Sequence, residues 1–357
     1  MPFEEKVKNL TYKPFKGIDL NNEFFDSLKE DYEEFPVWFQ KKANAGERAY
    51  IFVQNGIQGF LYVKEENGPI TDIDPPLPDG RHIKVGTMKL KAHGTRLGQR
   101  FVKKIFDHAL AINADDAYVT CFAKHALLLK ILKTYGFKEY ATKVTKNGEE
   151  IVLVKDFGVV VGDVLMDYPK VDLKDKALNL LAIYPEFHTK FLPDSKLNNE
   201  SIDIVRDVSH ANSIHKIYIS GIAATNKLKP GDVLLLYRTT DKPGLAKYRS
   251  VATSVGVVEE TKRIRDFKSK TEFLKYVKPY SVFTEEELTE RFENKKHHVA
   301  IKFTYNIALP KRVIRDLLLT EVGLPGSPRR WDFLKVIPSQ FRKIMELGQI
   351  NESYIID

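Results

Sequence analysis

The stretch from Lys89 to Ala111, KLKAHGTRLGQRFVKKIFDHALA, constrains this chain more than any other. A strand-like run, Ile83 to Leu90, leads into it, and Gly94 and Gly98 turn the chain. An amphipathic helix follows, with Phe101, Val102, Ile105, Phe106 and Ala109 among its apolar positions. Strand, glycine turn and helix together make an anion-binding arrangement. The first amides of a helix lack intrahelical acceptors and lie at the positive end of its dipole, and glycines let a phosphate approach the backbone closely. The same glycines also suit a plain helix entry, and their spacing alone leaves both readings open.

Downstream, Ala117 to Phe122 reads as a buried strand and Lys124 to Thr134 as a second helix, closed by Tyr135-Gly136-Phe137. On these residues the segment from about 5 to 157 resembles the GNAT family of acetyl-CoA-dependent N-acetyltransferases. That family's pyrophosphate loop has the form Gln/Arg-x-x-Gly-x-Gly/Ala, and its later helix usually ends in a Gly-Phe pair. The resemblance implies acetyl-CoA as co-substrate, bound at Leu90, Lys91, Gly94, Thr95, Arg96, Leu97 and Gly98. Lys91 stands where the family has Gln or Arg, Gly94 matches the first glycine, and Arg96 replaces the second Gly or Ala. Arg96 can add charge-assisted hydrogen bonds to a phosphate, while its bulk limits close approach.

Acyl transfer to an amine needs the amine held against a thioester, a route for its proton and a donor for the departing thiolate. The family's usual donor, a Tyr four residues before the Gly of the Gly-Phe pair, falls here on Leu132, which cannot donate; the usual Asn seven residues earlier is His125. At spacings of three, four and three, His125, Leu128, Leu132 and Tyr135 share one helical face, which makes His125 and Tyr135 the candidate catalytic residues. Alternatively, Leu128, Leu129 and Leu132 mark that face as core, with Tyr135 packed and His125 at the helix end. The strand before the loop lacks the Glu that many relatives use as base, and His82, Asp72 and Asp74 stand as substitutes. His93, inside the glycine loop, either touches a phosphate or faces solvent.

At 357 residues the chain exceeds one typical core, and its 43% hydrophobic and 11% aromatic residues suffice for two. The expected division is a GNAT-like domain over 1–157, a structured connector over 158–200, and a second domain over 201–357. The connector holds Pro169, Pro185, Pro193 and a short helical pattern around Lys174 to Ala182. In the first domain Asn55-Gly56, between two strand-like runs, is a strong hairpin signal. The lone cysteine, Cys121, excludes an intramolecular disulfide. The N-terminal residues have no apolar h-region, and the most apolar run, Ile151 to Met166, is broken by Lys155, Asp156 and Asp163. A cytoplasmic protein away from membranes is expected; its oligomeric state is not legible.

In the second domain a Pro230-Gly231-Asp232 turn leads into the buried run Val233 to Arg238, and Ser250 to Val258 supplies another strand. Here the chain resembles a PUA-like barrel of the ASCH or EVE kind. The expected fold class is therefore α/β (α+β): a GNAT-like mixed sheet with helices, then a PUA-like β-barrel with flanking helices. Bases and aromatics interleave at Lys216, Tyr218, Arg238, Lys247 and Arg249, a mixture suited to single-stranded RNA. The same residue types also serve as ordinary strand residues at the solvent boundary, and the net charge of +8 fits either reading. The histidines show no ligand spacing, so no metal is expected. Two functions stay open. One is an N-acetyltransferase acting on the amine of an RNA-associated substrate that the second domain selects. The other is a non-catalytic RNA-binding or regulatory protein that keeps the acetyltransferase fold as a CoA-binding module.

Overall fold

A computed structural model of the chain describes residues 9–91, 96–192, 213–294, 298–326 and 331–356. These divide after Val160 into two compact units.

The first unit contains β1 (Asn9–Pro14), α1 (Asp26–Asp31), α2 (Phe35–Asn44), β2 (Arg48–Val53), β3 (Ile57–Asn67), β4 (Arg81–Leu90), α3 (Leu97–Ile112), β5 (Asp116–Cys121), α4 (Ala126–Thr134), β6 (Lys138–Thr145) and β7 (Gly148–Asp156). Its seven strands form one sheet in the order β1-β2-β3-β4-β5-β7-β6, antiparallel except between β4 and β5. The β2–β3 connection turns through Asn55 and Gly56, both at positive φ, as the hairpin signal requires. Alternation along β3 sends Phe60 and Tyr62 toward Phe15, whose ring also meets Phe39 and Trp38, and this aromatic cluster seats α2 on one face. On the opposite face Leu97 and Phe101 of α3 come down onto Gly59. A Cβ there would lie 2.5 Å from a Leu97 methyl, so only glycine admits the helix at this distance.

The second unit contains β8 (Val171–Asp172), β9 (Leu178–Ile183), α5 (Pro185–Phe191), β10 (His215–Ser220), β11 (Val233–Arg238), α6 (Ala246–Arg249), β12 (Val251–Arg263), α7 (Lys270–Val277), α8 (Glu285–Glu293), β13 (Val299–Ile314), α9 (Arg315–Thr320), β14 (Phe333–Val336), α10 (Pro338–Leu347) and β15 (Ile355–Ile356). Its main sheet runs β10-β13-β12-β11-β9-β14. The molecule is thus mixed α/β, but the expected barrel does not close. Strands β10 and β14 are edges, with no ladder between them among the described residues. The long β12 and β13 strands pair with register slips at three places, where bulges bend a ladder.

Of the region expected as a connector, residues 161–192 belong to this second unit. The Tyr168 hydroxyl donates to the Tyr305 carbonyl at 3.0 Å, and Asn306 Nδ2 donates to the Pro169 and Lys170 carbonyls. The helical pattern around Lys174 to Ala182 is mostly strand: β9 lies parallel to β11 and antiparallel to β14. A short apolar run buried on both faces carries no alternation, so periodicity does not separate strand from helix there. The Pro230-Gly231-Asp232 turn enters β11 as expected. The Asp232 carboxylate accepts from Lys229 N at 2.8 Å and Ala177 N at 3.0 Å, tying the turn to the start of β9.

His188 of α5 is fully buried, with Nε2 2.8 Å from the Thr253 hydroxyl. Burial, reinforced by the charges of Arg238 and Arg312, pushes its pKa down to about 3. The folded imidazole stays neutral where the unfolded one, near 6.5, takes a proton. Stability must therefore fall as pH drops through 6.5, by at most about 1.4 kcal/mol per pH unit, until about pH 3. A His188→Gln variant lacks this slope and should gain on the parent by about 1–2 kcal/mol between pH 7 and pH 5. Urea unfolding at both pH values measures the difference, and parallel behaviour of the two proteins would overturn the assignment.

Candidate active site

Strands β4 and β5 pair only from His82↔Asp116 to Val85↔Val119. Beyond Val85, β4 stays paired with β3 as far as Leu90, and β5 stays paired with β7 through Cys121↔Ile151. The two parallel strands therefore fork. Gly86 marks the point of parting: Tyr62 pairs with Thr87 and Val63 with Val85, so Gly86 is an extra residue on β4, a β-bulge that bends the strand. The Tyr62 ring fills the space beside it, since a Cβ on Gly86 would lie 2.6 Å from Tyr62 Cδ1. In the fork the main-chain groups of β4 that face β5 have no strand partner among the described residues. The Gly86 carbonyl accepts instead from the Thr87 hydroxyl at 2.7 Å.

A cavity of about 840 Å³ opens at the fork. Met88, Leu90, Leu97, Leu128 and Ile131 line one part of it; Asp31, Tyr32, Glu34, His125 and Glu150 line another, beside Phe35 and Trp38. The start of α3 borders the cavity through Arg96, Leu97 and Gly98. Arg96 holds a left-handed conformation, φ 55, which is uncommon for a residue with a side chain and is found at functional turns. The first-turn amides of α3 have no intrahelical acceptors by helix geometry, which suits an anion. Ala92 to Thr95, and with them His93, Gly94 and Thr95 of the expected phosphate loop, lie outside the described residues. Gly98 has a packing reason instead of a ligand reason: a Cβ would lie 2.4 Å from Ile131 Cδ1 and 3.3 Å from Leu90 Cδ1. Leu90 lines the cavity, whereas Lys91 pairs with Glu23 at 2.8 Å on the surface.

The expected catalytic pair separates. His125 lines the cavity just before α4, its Nε2 3.3 Å from Asp31 Oδ2, with Lys124 on the same carboxylate. Tyr135 is buried at the far end of α4 and is not part of the cavity wall. The shared helical face fails because α4 spans only Ala126–Thr134, leaving both residues outside its regular turns. Leu132 is core, fully buried. The substitute bases are likewise off the cavity. His82 is buried and engaged at both nitrogens, by Asp116 at 2.8 Å and by the Gly68 carbonyl at 2.9 Å. Asp72 pairs with Lys143, and Asp74 is held by a two-way backbone bridge to Thr142.

A pair that the sequence did not disclose faces the cavity instead. Tyr32, just after α1, donates its hydroxyl to Glu150 Oε1 at 2.6 Å while its ring stacks on Phe122 at 5.2 Å. Glu150 is only 4% exposed. Burial, then the Glu150 carboxylate, pushes the Tyr32 pKa well above the usual phenol range. The same two causes push Cys121, also on the cavity wall, up to about 11, so it remains an uncharged thiol. The one signal in the sequence was that Glu150 alternates with Val152 and Val154, two core residues of β7. Its partner lies 118 positions away.

The residues expected to grip RNA do not form an open surface. Lys216, Tyr218 and Arg238 are buried, at 0%, 8% and 4% exposure. Lys216 Nζ lies over the Phe191 and Tyr305 rings at 5.6 and 5.5 Å, and burial pushes Tyr218 up to about 12. All six residues of β10 and of β11 are buried, so alternation there does not sort inside from outside. Lys247 pairs with Asp316 at 3.1 Å and Arg249 with Asp241 through two hydrogen bonds. Among the described residues no group of three His, Cys, Asp or Glu side chains is placed to hold a metal ion.

No family model matches the chain, and no curated protein matches it. Solved structures to which it is similar include the following three. Against the NatC complex bound to Gag peptide and CoA, identity is 17% over 41% of this chain and 97% of that one, with a TM-score of 0.29. Arabidopsis thaliana NAA60 in complex with a bisubstrate analogue gives 14%, 41%, 97% and 0.30. The ASCH protein from Zymomonas mobilis gives 11% identity, 48% of this chain, 94% of that one and 0.33. Likenesses this slight say nothing about chemistry, which stands on the residues of the fork.

The fork depends on Gly86 and the ring beside it. Gly86→Ala must displace Tyr62, which is locked against Phe15 and Trp38, and should cost about 1–3 kcal/mol of stability by overpacking. A variant as resistant to urea as the parent would show that the bulge has room to spare.

Proposed function

We propose that the first unit is an N-acyltransferase that takes its acyl group from a coenzyme A thioester, acetyl-CoA being the donor that the sequence resemblance names. The observation that carries this reading is the fork itself: main-chain groups of β4 that have no strand partner among the described residues lie on a cavity that also borders the first turn of α3. An extended chain bearing amides at one end and phosphates at the other meets complementary groups along that whole path, strand hydrogen bonds first and helix-start amides with Arg96 last. Apolar Met88, Leu90 and Leu97 suit the methylene portions.

In the reaction the amine nitrogen attacks the thioester carbonyl carbon, the C–S bond breaks, the nitrogen loses a proton and the sulfur gains one. His125, oriented by Asp31, is the protonatable group assigned to the departing thiolate. Cys121 keeps its proton, which favours direct transfer over an acyl-cysteine intermediate. The reading stops at acyl transfer, because the residues expected to select RNA are buried or already paired.

Thr120 of β5 lines the cavity and is only partly buried, so Thr120→Trp should fill the fork without disturbing the core. Calorimetry is expected to give a CoA affinity at least tenfold weaker for this variant than for the parent, with an unchanged melting temperature. Equal affinities would overturn the assignment of the fork.

A further inference from the structure

The cavity's acidic groups are not equivalent. Asp31 is engaged by Lys124 and by His125 at 3.3 Å. Glu34 accepts from Asn147 at 2.9 Å and has Lys146 at 3.3 Å. Glu150 differs: it is the most deeply buried of the three, and its hydrogen-bond partner is a neutral phenol, Tyr32. Lys143, directly across the β6–β7 ladder from Glu150, gives its ammonium to Asp72 instead. Among the described residues no cationic side chain is paired with Glu150. A carboxylate this buried is costly unless a cation or several donors compensate it, and the fold supplies one donor. An ammonium arriving through the cavity that Glu150 lines supplies the positive charge that the described residues do not.

We propose that Glu150, steadied by Tyr32, receives the ammonium of the acceptor and takes its proton, so that the substrate is an unbranched primary alkylammonium. This inference rests on the acyl-transfer reading of the same cavity and adds the acceptor's chemical class. Glu150 lies one residue past the partner of Cys121 on β7, at the open end of β5 where the fork widens. The ammonium first pairs with the carboxylate. It then passes one proton to a Glu150 oxygen, leaving the nitrogen lone pair for the thioester carbon. The tyrosine hydroxyl fixes the other side of the carboxylate and does not itself ionise, its pKa being raised. Because so little of Glu150 is exposed, a slender –CH2–NH3+ head reaches it and a branched or N-substituted one does not. Phe35 and Trp38, stacked at 5.4 Å on the cavity wall, suit the aliphatic stem and add cation–π attraction to the approaching charge.

The test uses the full chain and two separate calorimetric titrations, one with CoA and one with n-hexylammonium chloride in the presence of CoA. Glu150→Gln keeps the shape and removes the charge. It should leave CoA affinity within twofold and weaken the amine at least tenfold, while Tyr32→Phe weakens it by less. The branched sec-butylammonium ion should bind the parent poorly. Where acetyl-CoA supports turnover, Glu150→Gln should also lower kcat by a hundredfold or more. The proposal is overturned if n-hexylammonium fails to bind the parent, or binds Glu150→Gln equally well. If the amine titration behaves as expected but CoA does not bind, the acyl-transfer reading fails and Glu150 remains an amine site. A Glu150→Gln protein that melts early is replaced by Glu150→Asp, which keeps the charge but retracts it, and which should retain part of the amine affinity.

Discussion

The parting of β4 from β5 is the constraint on which the first unit's site depends. Parallel strands in the middle of a sheet normally stay paired, because each buried N–H and C=O left without a partner costs free energy. Here the ladder stops at Val85↔Val119. The cost is limited because each strand keeps its other neighbour, β3 for β4 and β7 for β5. The bulge at Gly86 makes the departure geometrically possible, and the Tyr62 ring, braced by Phe15 and Trp38, fixes it in place. The aromatic cluster that looks like ordinary core thus also holds the fork open.

Several buried or cavity-lining acids in the same unit are met by nearby partners. At the closed end of the fork His82 and Asp116 are buried together, and His82 spends its second nitrogen on the Gly68 carbonyl. Asp31 and Glu34 on the cavity wall are likewise compensated. In the second unit Glu259 is buried between His215 and Lys302. Compensation of buried charge is what folded proteins require. Glu150, hydrogen-bonded by a phenol and paired with no cation among the described residues, departs from it on the cavity wall.

Local patterns were legible where one face of an element meets solvent or where a turn needs special residues. The Asn55-Gly56 hairpin, the strand β4, the helix α3 and the turn into β11 could all be read from the chain. Elements buried on both sides were not: β9 reads as a helical pattern in sequence, and Lys216 and Arg238 read as surface bases although β10 and β11 are enclosed throughout. For the site, His125 was singled out by a face shared with Tyr135, yet it lies just before α4 and lines the cavity from there. Tyr135 was misplaced because a spacing argument holds only inside the helix, and α4 is too short to include it.

Glycine spacing was the least specific part of the reading, for a physical reason. A glycine is needed wherever another atom occupies the place of its Cβ, and that atom can belong to a ligand or to the protein. At Gly59 it is Leu97, at Gly86 Tyr62 and at Gly98 Ile131. All three glycines therefore serve the packing of the sheet against its own side chains and helices, and two of them nevertheless shape the cavity: Gly86 by bending β4 and Gly98 by letting α3 approach α4. What that packing leaves over is a forked pair of strands and the start of a helix, both bordering one cavity. At Gly98 the atom in the place of a Cβ belongs to Ile131, while Gly94 lies outside the described residues.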